Sequence, residues 1–179
     1  MTKKILMWVL LLAPLTLSAQ KFAQFDFAQV VQSLPEYKTA QTQLEEMAKK
    51  FDADLQEMQK ELQTKADKYK AEVNEQTPAN IRQRREQELQ DLYQRYQQAG
   101  EDNSKAFEEA KNTKMNPIQQ KVVDTVTALA KEGGYTAIFD KTAAQANLIF
   151  FNDALTEDVT AQVLAKLGIS GVAAARPGK

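Results

Sequence analysis

LEEMAKKFDADLQEMQKELQTKADKYKAEVNEQTPAN, residues 44–80, is the stretch on which the fold turns. Apolar side chains stand at 44, 47, 51, 55, 58, 62, 66, 69 and 73, and nearly everything between them is polar or charged. The steps run 3, 4, 4, 3, 4, 4, 3, 4, which makes Leu44, Leu55 and Ala66 equivalent positions of an 11-residue repeat. That period averages about 3.67 residues per turn and predicts a straight or weakly right-handed helix, not a left-handed heptad coil. Thr77-Pro78-Ala79-Asn80 then stops the helix, because Pro78 lacks a donor and crowds the preceding turn. A second helix returns from near Ala79.

Upstream, Ser33-Leu34-Pro35-Glu36 opens the first helix, with Ser33 as N-cap, Glu36 as its partner three residues on, and Pro35 tolerated in the first turn. Residues 35–132 therefore form an antiparallel helical hairpin, an arm with its tip near 77–80. A turn centred there makes facing residue numbers sum to about 158. The seam is then Tyr69 on Leu89, Ala66 on Leu92, Leu62 on Tyr96 and Phe51 on Phe107. Leu55 faces Asn103, a poor match. Small residues dominate Ala99–Ala110, and Gly100 costs about 1 kcal/mol relative to Ala in a helix, so a bend or flexible point is expected there. Pro117 either kinks the return helix or marks where arm meets body. Ile118, Val122, Val126 and Leu129 then restore an apolar stripe, and Gly133-Gly134 ends the helix with Lys131 near its C-terminus.

The flanks are short. Phe22–Phe27 alternates apolar and polar and reads as a strand, after which Asp26 caps a short helix through Leu34. Tyr135–Asp140 alternates again, 141–146 turns, and Asn147–Phe151 reads as a further strand. Asp153 or Thr156 caps a last helix, Glu157–Leu167, before Gly168 and a flexible tail over 168–179. The fold class is α+β, mostly helical: a long hairpin inserted into a small body made from 20–34 and 133–167. Three short strands with open edges make too little core for an isolated unit, so several chains are expected to pool them. Phe22, Phe25, Phe27, Ile138, Leu148 and Phe150 are the body residues for that assembly.

Lys3 and Lys4, the apolar run Ile5–Ala13, Pro14 and Leu17-Ser18-Ala19 read as a cleavable signal peptide over residues 1–19. The run is short for a membrane span, which takes about 20 residues. Without Lys3 and Lys4 the 23 basic residues become 21 against 24 acidic, a net charge of −3, which offers no nucleic-acid footprint. The chain has neither Cys nor His, which removes disulfides, thiol sites, His-based triads and the commonest metal ligand. No cofactor, metal or catalytic residue is expected. Glu45-Glu46 and Glu108-Glu109 lie among lysines and read as solvated helix faces with i,i+4 pairing rather than acid–base machinery. Arg82, Arg84 and Arg85, with the off-stripe Tyr93, form a cluster near the tip. It can meet an acidic client segment, or make weak contact with an anionic membrane or lipopolysaccharide; its plainer reading is a solvated helix start.

The chain resembles the Skp/OmpH family of periplasmic outer-membrane-protein chaperones. The likeness rests on Phe25-Asp26-Phe27-Ala28-Gln29-Val30-Val31, on Leu34-Pro35-Glu36-Tyr37, on Gly134-Tyr135-Thr136-Ala137-Ile138-Phe139-Asp140, and on Leu155-Thr156-Glu157-Asp158-Val159. The resemblance implies a homotrimer whose arms enclose a cavity and hold unfolded outer-membrane β-barrel proteins without ATP. Well-studied members are strongly basic, whereas this chain has a pI near 5.7. Short-range contacts are therefore expected to matter more than electrostatic capture. The alternative function is a tethering coiled-coil protein of the envelope. That role calls for a well-specified seam, which Asn103 and the small-residue stretch argue against.

Overall fold

The arm is the crossover between two parallel strands. In a computed structural model that describes residues 20–142, 150, 152 and 155–169, β1 (Lys21–Phe25) lies in the middle of a three-stranded sheet. It pairs in parallel with β2 (Tyr135–Asp140) on one side and with β3 (Glu157–Asp158) on the other. Parallel neighbours need a long connection, usually helical. Here that connection is α1 (Phe27–Ser33), α2 (Pro35–Glu72) and α3 (Ala79–Gly133). At about 1.5 Å per residue, the 38 residues of α2 and 55 of α3 run about 57 and 82 Å. The chain closes with α4 (Thr160–Lys166).

Local chemistry explains the ends of these elements. Asp26 caps α1 by accepting the Gln29 N–H at 2.8 Å. Gly134 ends α3 at φ 66°, a left-handed conformation that glycine adopts without strain. Three expected boundaries are corrected. Ser33 is not the N-cap of the first arm helix; it is the last residue of α1 and donates its hydroxyl to the Gln29 carbonyl. The residue before a proline is driven to extended backbone, and Leu34, at φ −74° and ψ 132°, takes the boundary position. The first arm helix ends at Glu72 rather than at Thr77-Pro78. Asn74 accepts from Gln76 N–H at 2.9 Å and donates its own N–H to Thr77 Oγ1 at 3.0 Å, which closes a side-chain turn before the proline. Pro78 instead stands at the N-cap of α3. The last helix starts at Thr160, because Glu157 and Asp158 are drawn into the sheet beside Ala23 and Gln24.

The strand expected at Asn147–Phe151 lies outside the described residues apart from Phe150, which is 84% exposed. The expected signal peptide over 1–19 and the expected tail from Ser170 also lie outside them; Gly168 and Ile169, expected in that tail, belong instead to the body, where Ile169 packs against the core and its N–H bonds the Leu164 carbonyl. Helix α3 continues through Gly100 and Pro117 as one element.

The core lies where the root of the arm meets the sheet. Ala23 and Phe25 of β1, Val30, Val31 and Leu34 around α1, Ala40 of α2, Ile118 and Val122 of α3, and Val159, Val163 and Leu164 around α4 form one buried cluster. Pro117 thus marks the junction: Met115 before it and Ile118 after it pack into the body. On the opposite sheet face Phe22 stacks on Phe139 at 6.3 Å between ring centroids and is 37% exposed, with the amide of Gln24 on the same face.

Candidate functional site

Two helices alone cannot enclose a core, and the arm shows it. The expected stripe at 44, 47, 51, 55, 58, 62, 66, 69 and 73 is the shielded face of α2, but Leu44 alone among these residues is buried. On α3 the shielded positions include Leu89, Leu92, Tyr96, Gly100, Asn103, Phe107 and Ala110, of which only Leu92 is buried. Phe51, Leu62, Ala66, Tyr69, Leu89, Tyr96 and Phe107 are all half-buried. The seam therefore keeps apolar surface in contact with water along most of its length.

Polar clasps tie the helices together at both ends. At the root, Lys121 Nζ meets Glu36 at 2.6 Å and Lys114 Nζ meets Gln43 at 2.6 Å. Toward the tip, Tyr69 donates its hydroxyl to Glu86 at 2.7 Å, and Lys65 pairs with Glu88. Partner numbers sum to 157 at the root and to 153–155 near the tip, against the 158 expected. The offset follows from the turn lying at 73–78 rather than at 77–80. The hydrogen bond from Lys121 holds the Glu36 carboxyl below its ordinary range, and that from Lys65 does the same for Glu88. Tyr69 is pushed up by donating to the Glu86 carboxylate.

The tip residues divide. Arg85 reaches Glu88 at 3.3 Å and so belongs to the distal clasp. Arg82 is half-buried near the Tyr69–Glu86 pair. Arg84 is exposed and forms no ion pair among the described residues. Tyr93 is 50% exposed, off the seam, and accepts a hydrogen bond from Gln97 at 2.8 Å. Ile81, 41% exposed, adds apolar surface beside them.

Of the body residues, Phe25 is buried in the chain's own core, while Phe27 and Ile138 pack partly against it. Phe22 and Phe150 are exposed, and Leu148 lies outside the described residues. A polar cluster spanning the three strands was not anticipated. Glu157 accepts from the Tyr135 hydroxyl at 2.7 Å and from Gln162 at 2.9 Å, and pairs with Lys21 at 3.3 Å. Lys21 lies 3.9 Å from the Tyr135 ring centroid. The Tyr135 hydrogen bond, aided by Gln162 and Lys21, holds the Glu157 carboxyl low. Asp158 bonds Lys141 and both the N–H and hydroxyl of Thr160; burial opposes its ionisation, yet these bonds keep its carboxyl below the ordinary value. For the root clasp, by contrast, the signal was available: Glu36 and Lys121 fall within one of the expected sum.

Among the described residues no cluster of three or more Asp or Glu could hold a metal ion. No described helix is long and apolar enough to cross a membrane. Two open grooves, of about 580 and 450 Å³, flank Pro117 on either side of α3.

The family model described as outer membrane protein (OmpH-like) matches residues 21–167. No curated protein matches the chain. Among solved structures, a protein of Caulobacter crescentus described as a candidate outer membrane chaperone (OmpH-like) superposes with a TM-score of 0.64 at 18% identity, over 83% of each chain. That likeness carries the fold. The match over 21–167 spans the sheet, the arm and the last helix, and the chain belongs to the OmpH-like outer membrane protein family.

Proposed function

We propose that this protein is an exported, ATP-independent holdase chaperone of the periplasm that binds unfolded outer-membrane proteins between its arms. A chaperone-type role agrees with the family, and the finer reading rests on one observation. The arm is long and its seam stays half-open, so it presents apolar side chains to water without forming a cavity of its own. In a homotrimer, three such arms enclose a space, and the sheet face around Phe22 and Phe139 supplies a surface on which the bodies meet. The clients are held by many weak contacts with seam residues such as Phe51, Leu62 and Phe107. Arg84 and Tyr93 extend that surface at the tip. With a net charge of −3 after signal removal, long-range attraction contributes little.

Light scattering tests the reading. An outer-membrane β-barrel protein diluted out of urea should stay clear in the presence of the signal-free protein and cloud without it, with no nucleotide added. Equal clouding in both samples would overturn the holdase reading and favour a tethering role in the envelope.

A further inference from the structure

We infer that the middle of the arm opens as a unit while both ends stay clasped. The cross-arm bonds place the weak segment at residues 45–57 of α2 and 100–112 of α3, and the thin burial of the arm and the space at Gly100 agree with them. Between Leu44 and the tip of α2, and between Leu92 and Ile118 of α3, no residue is buried. Every cross-arm hydrogen bond or ion pair among the described residues lies outside the segment, at Glu36–Lys121, Gln43–Lys114, Lys65–Glu88 and Tyr69–Glu86. A Cβ placed on Gly100 would meet nothing within 4 Å, so the half-shielded face of α3 has open space there.

Charge acts in the same direction. The segment carries nine carboxylates, at 45, 46, 52, 54, 57, 101, 102, 108 and 109, against the four lysines 49, 50, 105 and 111. Like charges on two helices side by side favour separation, and salt screens that repulsion. The clasps respond oppositely, since salt weakens exposed ion pairs. The middle of the arm is therefore held by thin apolar contact against repulsion, and its ends by attraction. Opening there bares Phe51, Leu55 and Phe107. The opening is a property of the chain alone; its use, to offer that strip to a client, rests on the proposed holdase reading.

Amide hydrogen exchange of the full signal-free protein, without client, tests the inference at low and high sodium chloride. A simple hairpin frays from its tip and is best protected in its middle. Here residues 100–112 should exchange faster than the Lys65–Glu88 and Glu36–Lys121 levels. Added salt should slow exchange in the middle and speed it at the clasps. Gly100→Ala, for which there is room, should slow exchange over 100–112 by about fivefold. A middle better protected than the clasps, or a salt response of one sign along the whole arm, would overturn the inference. Neither outcome depends on whether the protein binds clients, which the scattering assay decides separately.

Discussion

Leu164 is 1% exposed and sits where α4 plugs the root of the arm. Its replacement by Ala removes three buried carbon atoms and leaves a cavity, at about 2–5 kcal/mol. Chemical denaturation should read that loss directly. Gly133 is a different kind of determinant. A Cβ there would collide with the Tyr135 ring, so Gly133→Ala must push the ring aside. The Tyr135 hydroxyl then leaves Glu157, and β3 loses a side-chain tie that its two backbone pairings cannot replace. We expect Gly133→Ala to loosen β3 as strongly as Tyr135→Phe does, measured by amide exchange over residues 157–163. No change in exchange for either variant would show that the tie is idle. The glycine pair reads from sequence as a helix stop. What it does not reveal is that the first glycine makes room for a ring, because that requires knowing where β2 turns.

At the scale of elements, α2 is legible because one period persists over 30 residues and nothing competes with it. Its end is not legible. Pro78 is the louder signal, but the Asn74–Thr77 turn acts first and closes the helix at Glu72. Strand β3 is too short to show any alternation and reads as helix, because Glu157 and Asp158 favour a first helical turn. Adjacent residues of α3 separate stability from the proposed client contact. Leu92 is 6% exposed and Tyr93 50%. Leu92→Ala should lower the thermal midpoint, at a cost of about 2 kcal/mol, whereas Tyr93→Ala should leave it within about 0.5 kcal/mol of the parent. Any loss of client protection in Tyr93→Ala is then a loss of contact. A large drop in stability for Tyr93→Ala would instead place that ring in the packing.

For the whole molecule, acid is the informative stress. Glu36, Glu88, Glu157 and Asp158 all have carboxyls held below their ordinary values in the fold. Groups of that kind contribute stability above their unfolded pKa values, about 4.3 for Glu and 3.9 for Asp, and lose it as pH falls toward the lower folded values. The thermal midpoint should be nearly flat from neutrality down to about pH 5, then fall between about pH 4.5 and 3. Asp158→Asn should reduce that acid slope, and an unchanged slope would show that Asp158 plays no part in the acid response. The hairpin-in-a-body architecture was legible because a long polar helix pair flanked by strand patterns admits few other topologies. The parallel pairing of β1 with β2 was not, since alternation gives a strand's faces and says nothing of its neighbours.

In the proposed function, arms with half-open seams hold an unfolded client. The most direct test is size exclusion with light scattering of the signal-free protein mixed with a urea-unfolded outer-membrane β-barrel protein after dilution. One soluble species with the mass of three chains and one client is expected at both low and high salt. A client that precipitates while the protein elutes alone at its own mass would contradict the holdase reading.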